Sequence, residues 1–202
     1  MIKFIIAALL LGGVAGYLNA NWASVVSSIW VSDYLLNASL MLLLFVMGVT
    51  FAMDKDSISK IRRTGLKILV VPLAIALGTI LSGVVSALIL GTNVVATKAV
   101  SAGYGWYTLT GPLVGQIFGA KWGALGFAAN FLRELLTILT VSLMVKVDKY
   151  APIASGGATT MDTTLPIIVR YCGSDALITA FSSGLILSLI APFTIAAIAS
   201  LG

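Results

Sequence analysis

Long apolar stretches separated by short polar segments dominate this chain. A stretch of about 18 or more apolar residues is long enough to cross the hydrocarbon core of a bilayer as an α-helix. The first stretch resembles a signal peptide, because Lys3 precedes the apolar run, but its length and the further spans favour a membrane helix. We predict an all-α integral membrane protein with five transmembrane helices, at 2–19, 32–53, 66–91, 122–146 and 174–200.

Two further apolar segments, 94–120 and 152–173, lack the pattern of ordinary membrane helices. Their cores read SAGYGWYTLTGPLVGQIFG and SGGATTMDTTLPIIVRYCG, in which glycines, threonines and a central proline interrupt the apolar run. Proline removes a backbone donor, and glycine lowers helix stability. Irregular backbone at membrane depth has to be buried in protein or to line a wet cavity. We therefore predict a re-entrant hairpin or a broken helix at each segment.

A weak internal repeat relates the two interrupted segments. A shift of 54 residues aligns Gly103 with Gly157, Pro112 with Pro166, and Gly119 with Gly173. Each unit holds one interrupted segment followed by one full span, so the second unit is inverted relative to the first. Paired interrupted segments of this kind are typical of the midplane site of secondary transporters. We predict one transporter domain over 1–202, with N-terminal spans at 1–93 and repeat units at 94–148 and 149–202.

The distribution of charge agrees with a membrane location and predicts an orientation. Charged residues make up 9% of the chain, whereas soluble domains carry about 25%. The basic segment DKDSISKIRRTGLK follows the second span, and the positive-inside rule places it in the cytoplasm. The N-terminus is then cytoplasmic and the C-terminus outside, provided that 94–120 enters and leaves by one face. Lys98 and Lys121 would then lie outside, against the rule, so a full crossing of that segment stays open.

The residue types present exclude several functional classes. The chain has no histidine and one cysteine, Cys172, which excludes histidine-based metal sites, catalytic triads and an intramolecular disulfide. It also lacks HExxH, GxSxG and phosphate-loop motifs. We therefore predict no enzymatic activity, no cofactor and no metal site. The positive charge flanks the spans and forms no patch with interleaved aromatic residues, so we predict no nucleic-acid partner.

Glu134 lies near the centre of the predicted span 122–146, beside Arg133. A charged side chain at that depth is costly and usually faces a cavity or a partner. A carboxylate there would bind a cationic substrate or a coupling proton. The alternative is an internal ion pair with Arg133 or another basic residue. Because neighbouring residues on a helix point in different directions, we expect Arg133 to have another partner, with Asp162 as the candidate.

Asp162 lies in the second interrupted segment, among the hydroxyl groups of Thr159, Thr160, Thr163 and Thr164. An acid beside hydroxyls and freed backbone carbonyls suits an ammonium group, a sodium ion or a proton. The alternative is an N-cap for a half-helix that begins near Thr163 or Thr164. The two interpretations are compatible, because a half-helix N-terminus is itself an anion site.

Several other residues have both a functional and a structural interpretation. Asp33 lies at the outer mouth of the second span, where it would bind substrate or cap the helix. Asn37 and Asn130 would contact substrate or hydrogen-bond to a neighbouring helix. Trp106 and Tyr107 would line a substrate path or anchor the first hairpin at the interface.

Three motifs, GYGWYTLTGPLV, ANFLREL and GGATTMDTTLPIIVR, occur in this order and resemble the lysine exporter family LysO from about residue 40 to the C-terminus. The resemblance implies an inner-membrane exporter of L-lysine and of toxic analogues such as thialysine. It also implies essential acids in membrane segments, which map onto Glu134 and Asp33, and Asp162 falls in the shared MDTTLP motif. Longer members carry an additional N-terminal region, so either that region is dispensable or a homodimer or a companion membrane chain supplies its surface.

The residues and the resemblance together predict a secondary transporter that exports L-lysine through the lipid bilayer by proton antiport, with sodium as the alternative coupling ion. The substrate carboxylate would lie at a half-helix N-terminus. An ammonium group would pair with Glu134, helped by Asp162 or Asp33. Competition between substrate and proton for Glu134 would couple the two fluxes. A cation channel and a membrane subunit that needs a partner chain are the alternative functions.

Overall fold

The computed structural model describes residues 2–21, 34–35, 38–39, 41–42, 45–46, 49, 53 and 69–201. The chain divides into two compact units, Met1–Met47 and Gly48–Gly202. In the first unit, helix α1 covers Ile2–Asn21, where the sequence predicts a helix. Most of the predicted span 32–53 lies outside the described residues, as do Asp33, Asn37 and the basic segment 54–67.

The described part of the second unit is helical, with α-helices joined by short turns. The α-helices are α2 (Val70–Leu90), α3 (Val94–Ser101), α4 (Tyr107–Phe118), α5 (Ala120–Val147), α6 (Ala151–Gly156), α7 (Leu165–Cys172) and α8 (Ala176–Ser200). A 3₁₀ turn, Gly157–Met161, links α6 to α7. The absence of strands from the described residues confirms the all-α prediction.

Helices α2, α5 and α8 are the three described helices that are long and apolar enough to cross a membrane. They coincide with the predicted spans 66–91, 122–146 and 174–200. Each presents large exposed apolar side chains, such as Leu77, Leu139 and Phe193, as a lipid-facing surface requires. The count of five spans for the whole chain stays a prediction.

Each predicted interrupted segment is a pair of short helices separated by non-α backbone. Helices α3 and α4 flank residues 102–106, which we call the first break, and α6 and α7 flank residues 157–164, the second break. The prolines do not cause the interruptions, which corrects the sequence interpretation. Pro112 lies inside α4 and Pro166 in the first turn of α7, a position that tolerates proline because its missing N–H has no helical acceptor.

Both helix pairs approach the middle of α5, one from each of its ends. Helix α4 runs back along the first half of α5, where Gly115 of α4 lies against Gly123 of α5. Helix α6 runs back along the second half, where Arg133 of α5 hydrogen-bonds the carbonyls of Ala154 and Ser155. Because α5 is one continuous helix of 28 residues, the two pairs have opposite orientations along it.

The turns that end the two helix pairs have the same backbone conformation. Gly119 has φ 94° and ψ 165°, and Gly173 has φ 87° and ψ 165°. The carbonyl of each glycine accepts a bond from the third residue after it, Trp122 at 3.0 Å and Ala176 at 3.1 Å. A positive φ favours glycine, so the aligned glycines have the same function in the two halves. The other aligned pair differs, because Gly157 has φ 62° and Gly103 has no positive φ. The domain boundaries stay a prediction.

Candidate functional site

The two breaks contact each other beside the middle of α5. The N–H of Ala158 donates a hydrogen bond of 2.8 Å to the carbonyl of Tyr104. Gly157 makes this approach possible, because a Cβ at that position would overlap the same carbonyl oxygen. On the other side, a Cβ on Gly105 would lie 3.0 Å from the carbonyl oxygen of Gly156. The segments predicted to be interrupted therefore meet backbone to backbone.

Asn130, on α5, fastens the first break. Its Oδ1 accepts from the N–H of Gly105 at 2.6 Å, and its Nδ2 donates to the carbonyls of Val100 at 3.0 Å and Gly126 at 2.9 Å. The side chain is buried. Asn130 therefore hydrogen-bonds to a neighbouring segment, as its structural interpretation predicts, and both of its amide donors bind backbone carbonyls. Direct contact with a substrate stays a prediction.

Threonine hydroxyls fasten the second break from inside. The Thr159 hydroxyl donates to the carbonyl of Gly156 at 3.0 Å and lies 3.3 Å from the hydroxyl of Thr164. The Thr160 hydroxyl donates to the carbonyl of Ala180 on α8 at 2.7 Å. All three threonines are buried. The hydroxyls of Thr159 and Thr160 thus lie against carbonyls at the start of the break, those of Gly156 and Gly157. Substrate contact by the threonines stays a prediction.

Glu134 lies inside the protein, with 4% of its surface exposed. No described residue gives a hydrogen bond to its Oε2 atom. The hydroxyl groups of Tyr107 and Thr163 face the carboxylate, and the carboxyl group of Asp162 lies within electrostatic range. A buried carboxylate with an open oxygen is poised to receive a proton or a cationic group, because an isolated charge is unstable in a low dielectric.

Tyr107 lies inside the aromatic packing between α4 and α5. Its ring makes edge-to-face contacts with Phe127 and Phe131, with 5.4 Å between centroids in each case. Because Tyr107 is buried and its hydroxyl faces Glu134, it does not anchor the hairpin at an interface. Trp106, directly before α4, is half-buried, and its role stays a prediction.

Asp162 lies on the exposed side of the second break. Its Oδ1 accepts a hydrogen bond of 2.5 Å from the N–H of Thr163. Helix α7 begins at Leu165, and Thr164 is its N-cap residue without a side-chain cap bond. The N-cap interpretation of Asp162 is therefore wrong, because the carboxylate binds an amide outside the helix. The carboxylate is instead within electrostatic range of Glu134, and the Thr163 hydroxyl faces Glu134.

Arg133 points to a different side of α5 from Glu134. Its Nε donates to the carbonyl of Ser155 at 2.7 Å and its Nη2 to the carbonyl of Ala154 at 2.8 Å. Its Nη1 lies 3.5 Å from the hydroxyl of Thr79 on α2. No hydrogen bond joins Arg133 to a carboxylate in residues 69–201. The expected pairing with Asp162 is wrong, because the last carbonyls of α6 are closer acceptors.

A largely open cavity of about 650 Å³ lies between α2, α5 and α6. Its walls are mostly apolar, and the polar side chains that it exposes include Thr79, Ser82 and Arg133. Glu134 does not line it. Arg133 and Glu134, at the centre of α5, thus lie in two separate environments.

Sequence reasoning missed Tyr104, which lies at the contact between the breaks. Its side chain is fully buried, its φ is 53°, and no described residue bonds its hydroxyl. A left-handed conformation is uncommon for a residue with a Cβ. The signal available in the sequence is the pattern GYG, because glycines on both sides permit the chain to turn sharply around a bulky side chain. Among the described residues, no group of three or more acids and cysteines is placed to hold a metal ion.

The known proteins that this chain resembles are all described as lysine exporters. The sequence model of the family "Lysine exporter LysO" matches residues 6–199. The chain is 32% identical over 160 residues to "Lysine exporter LysO" of Escherichia coli strain K12, covering 78% of this chain and 52% of that protein. It thus spans about half the length of that relative. It is 27% identical over 192 residues to a "Putative lysine exporter" of Haemophilus influenzae, covering 93% of each. No solved structure matches the chain.

Proposed function

This chain belongs to the lysine exporter LysO family, and from that premise we propose that it is a secondary active transporter that exports L-lysine. The proposal extends to close analogues such as thialysine, which keep both ammonium groups and the carboxylate. Export takes place across the inner membrane, in exchange for protons, with sodium as the alternative coupling ion. No catalytic reaction and no cofactor are part of this function.

One observation carries the proposal, namely the buried carboxylate of Glu134 with its open Oε2, beside Tyr107 of α4 and Thr163 of the second break. In a low-dielectric environment, a carboxylate is stabilised by a proton or by a neighbouring cation. It is not occupied by both at once. Glu134 therefore exchanges a proton for a substrate ammonium group, and this exclusion couples the two fluxes.

Asp162 and Thr163 form the approach to that carboxylate. Asp162 is exposed, whereas Glu134 is buried, and Thr163 faces Glu134. An ammonium group arriving from outside the protein first meets Asp162 and then moves inward past the hydroxyls of Thr163 and Tyr107. Two acids of one sign repel each other, so a cationic group between them relieves that repulsion. We assign Asp162 to substrate capture and Glu134 to exchange.

The proposal keeps the membrane arrangement that the sequence predicts. The α3–α4 and α6–α7 pairs are re-entrant hairpins that enter from opposite faces, with the N-terminus in the cytoplasm and the C-terminus outside. Asp33 contributes a further acid at the outer mouth. A second copy of the chain completes the assembly, with a companion membrane chain as the alternative.

The decisive experiment is counterflow of labelled lysine in proteoliposomes that contain the purified chain alone, with and without a pH gradient. We expect saturable exchange that an inward proton gradient accelerates. Glu134 is the only glutamate of the chain. The Glu134→Gln variant should lose the response to pH and at least about tenfold in rate. Asp175→Asn is the matched control, because Asp175 is exposed and makes no side-chain cap bond at α8.

Each other result has a defined meaning. Normal exchange by Glu134→Gln would refute the role of that carboxylate. Rapid flux without saturation or counterflow would indicate a cation channel instead. Activity that returns only when a second membrane chain is added would assign the chain to a subunit role. Acceleration by sodium, without a response to pH, would replace the proton as coupling ion.

A further inference from the structure

Arg133 carries a positive charge, and not all of its hydrogen-bond donors have an acceptor. A guanidinium has five N–H donors. In Arg133, one donates to the carbonyl of Ser155, one to the carbonyl of Ala154, and one makes a long contact of 3.5 Å with the hydroxyl of Thr79. Two N–H groups therefore remain without an acceptor among residues 69–201. Backbone carbonyls are dipoles and do not neutralise the charge. A cation in a low-dielectric site calls for an anion.

Arg133 lines the cavity between α2, α5 and α6, and its Nη1 contacts Thr79 on the wall of that cavity. The cavity is bounded by Arg133, Thr79 and Ser82 at its polar wall, and by apolar residues elsewhere. Its volume of about 650 Å³ is in the range of cavities that hold small organic ligands. Planar guanidinium groups bind carboxylates through two parallel hydrogen bonds, and hydroxyls next to them extend the donor set.

We propose that this cavity binds the α-carboxylate of the transported amino acid, with Arg133 as its principal ligand and Thr79 as a hydroxyl donor. The inference rests on the proposed function, and it replaces a half-helix N-terminus as the place of the substrate carboxylate. Arg133 and Glu134 are consecutive on α5 and face different environments. A substrate with an anionic and a cationic end, separated by an aliphatic chain, matches this division of charge.

The site predicts discrimination between lysine and cadaverine, which is lysine without its carboxylate. The measurement is competition of each compound against labelled lysine on the purified chain in detergent. We expect lysine to compete at least about tenfold better than cadaverine, since a charged bidentate hydrogen bond is lost with the carboxylate. In the Arg133→Gln variant, the affinity for lysine should fall to that for cadaverine, whereas the affinity for cadaverine should change by less than about twofold. Arg170→Gln is the matched control, because Arg170 is exposed on α7.

A second variant tests the cavity without altering Arg133. Gly78 lines the cavity, and a Cβ at this position would meet no atom within 4 Å. Gly78→Leu should fill the cavity and reduce lysine binding at least about tenfold, while Gly78→Ala, which adds one methyl group, should bind normally. This pair decides the question if Arg133→Gln fails to fold, because neither substitution removes a hydrogen bond.

The outcomes separate the inference from the proposed function. If wild-type protein exchanges lysine but does not distinguish it from cadaverine, the carboxylate site is refuted and the exporter proposal stands. Equal losses of both ligands in Arg133→Gln, or normal lysine binding by Gly78→Leu, refute the site as well. If wild-type protein neither binds nor exchanges lysine, both proposals fall. Protection of Thr79→Cys from thiol reagents by anionic lipid, and not by lysine, would assign the cavity to a lipid phosphate.

Discussion

The N–H of Ala158 and the carbonyl oxygen of Tyr104 are joined by a hydrogen bond of 2.8 Å, which connects the two breaks directly. Each break has lost part of its helical hydrogen bonding, and backbone groups buried in protein require partners. The two irregular segments therefore satisfy one another in part, which neither does alone. It follows that damage to one break is transmitted to the other, and from there to Glu134, which lies beside Thr163 of the second break and Tyr107 of α4.

Gly157→Ala tests the contact between the breaks. A Cβ at Gly157 would overlap the Tyr104 carbonyl, and its φ of 62° adds strain. Gly91→Ala is the control for a left-handed backbone without a clash, because Gly91 has φ 62° and ψ 33° and nothing lies within 4 Å of its Cβ position. Gly157 has φ 62° and ψ −123°. We expect Gly91→Ala to lose about 1–2 kcal/mol of unfolding free energy from the left-handed backbone alone, and Gly157→Ala to lose about 1–3 kcal/mol more from overpacking and from its more strained backbone.

Thermal unfolding in detergent measures the difference between these two variants, and lysine counterflow shows its effect on function. Gly91→Ala should keep transport, whereas Gly157→Ala should lose it. Equal stability of the two variants would mean that the breaks are not in contact, and the site around Glu134 would then lack this contact.

Asn130→Ala tests how the first break is held. The substitution leaves the N–H of Gly105 without its acceptor and removes both donors to backbone carbonyls. An unsatisfied buried group costs about 1–3 kcal/mol, so we expect a loss of stability of this size together with loss of transport. The control is Thr140→Val, because the Thr140 hydroxyl is exposed and bonds the carbonyl of Leu136 in its own helix. Unchanged unfolding of Asn130→Ala would contradict these contacts.

Tyr107→Phe separates the chemistry of the site from its packing. The phenylalanine keeps the edge-to-face contacts with Phe127 and Phe131 and removes the hydroxyl that faces Glu134. We expect little change in unfolding, but a rise of about threefold to tenfold in the KM for lysine exchange, since one hydrogen bond is worth about 0.5–1.5 kcal/mol. Tyr171→Phe, at an exposed position, should leave KM unchanged. A fall in stability with KM unchanged would make Tyr107 a packing residue.

The long spans and the interrupted segments were accessible from the sequence because their signals are local. A run of apolar residues the length of α2, α5 or α8 has few other physical outcomes than a buried or membrane-spanning helix. Glycine and threonine clusters likewise marked both breaks. The burial of Glu134 followed from its position, since it is the only acid within the α5 segment.

The contacts across the site could not be derived in the same way. The partners of Arg133 are carbonyls of Ala154 and Ser155, which any residue type would supply, so side-chain chemistry pointed wrongly to Asp162. The hydrogen bond from Ala158 to Tyr104 is likewise between backbone groups far apart in the chain. Such contacts depend on how helices pack, and the pattern of residue types does not record them. The prolines misled for a related reason, because their effect depends on their place within a helix.

Thr160 links the second break to α8, and the hydroxyl and the methyl group of its side chain can be tested separately. The single proton of the hydroxyl is shared between the carbonyl oxygens of Gly157 and Ala180, each of which lies 2.7 Å from Oγ1. Thr160→Val keeps the shape and removes both bonds, whereas Thr160→Ser keeps the hydroxyl and removes a methyl group. We expect Thr160→Val to lose about 0.5–1.5 kcal/mol of stability and to accelerate amide hydrogen exchange in 157–164. Thr160→Ser should keep the slow exchange. Fast exchange in Thr160→Ser but not in Thr160→Val would show that methyl packing, and not the hydroxyl, fastens the second break to α8.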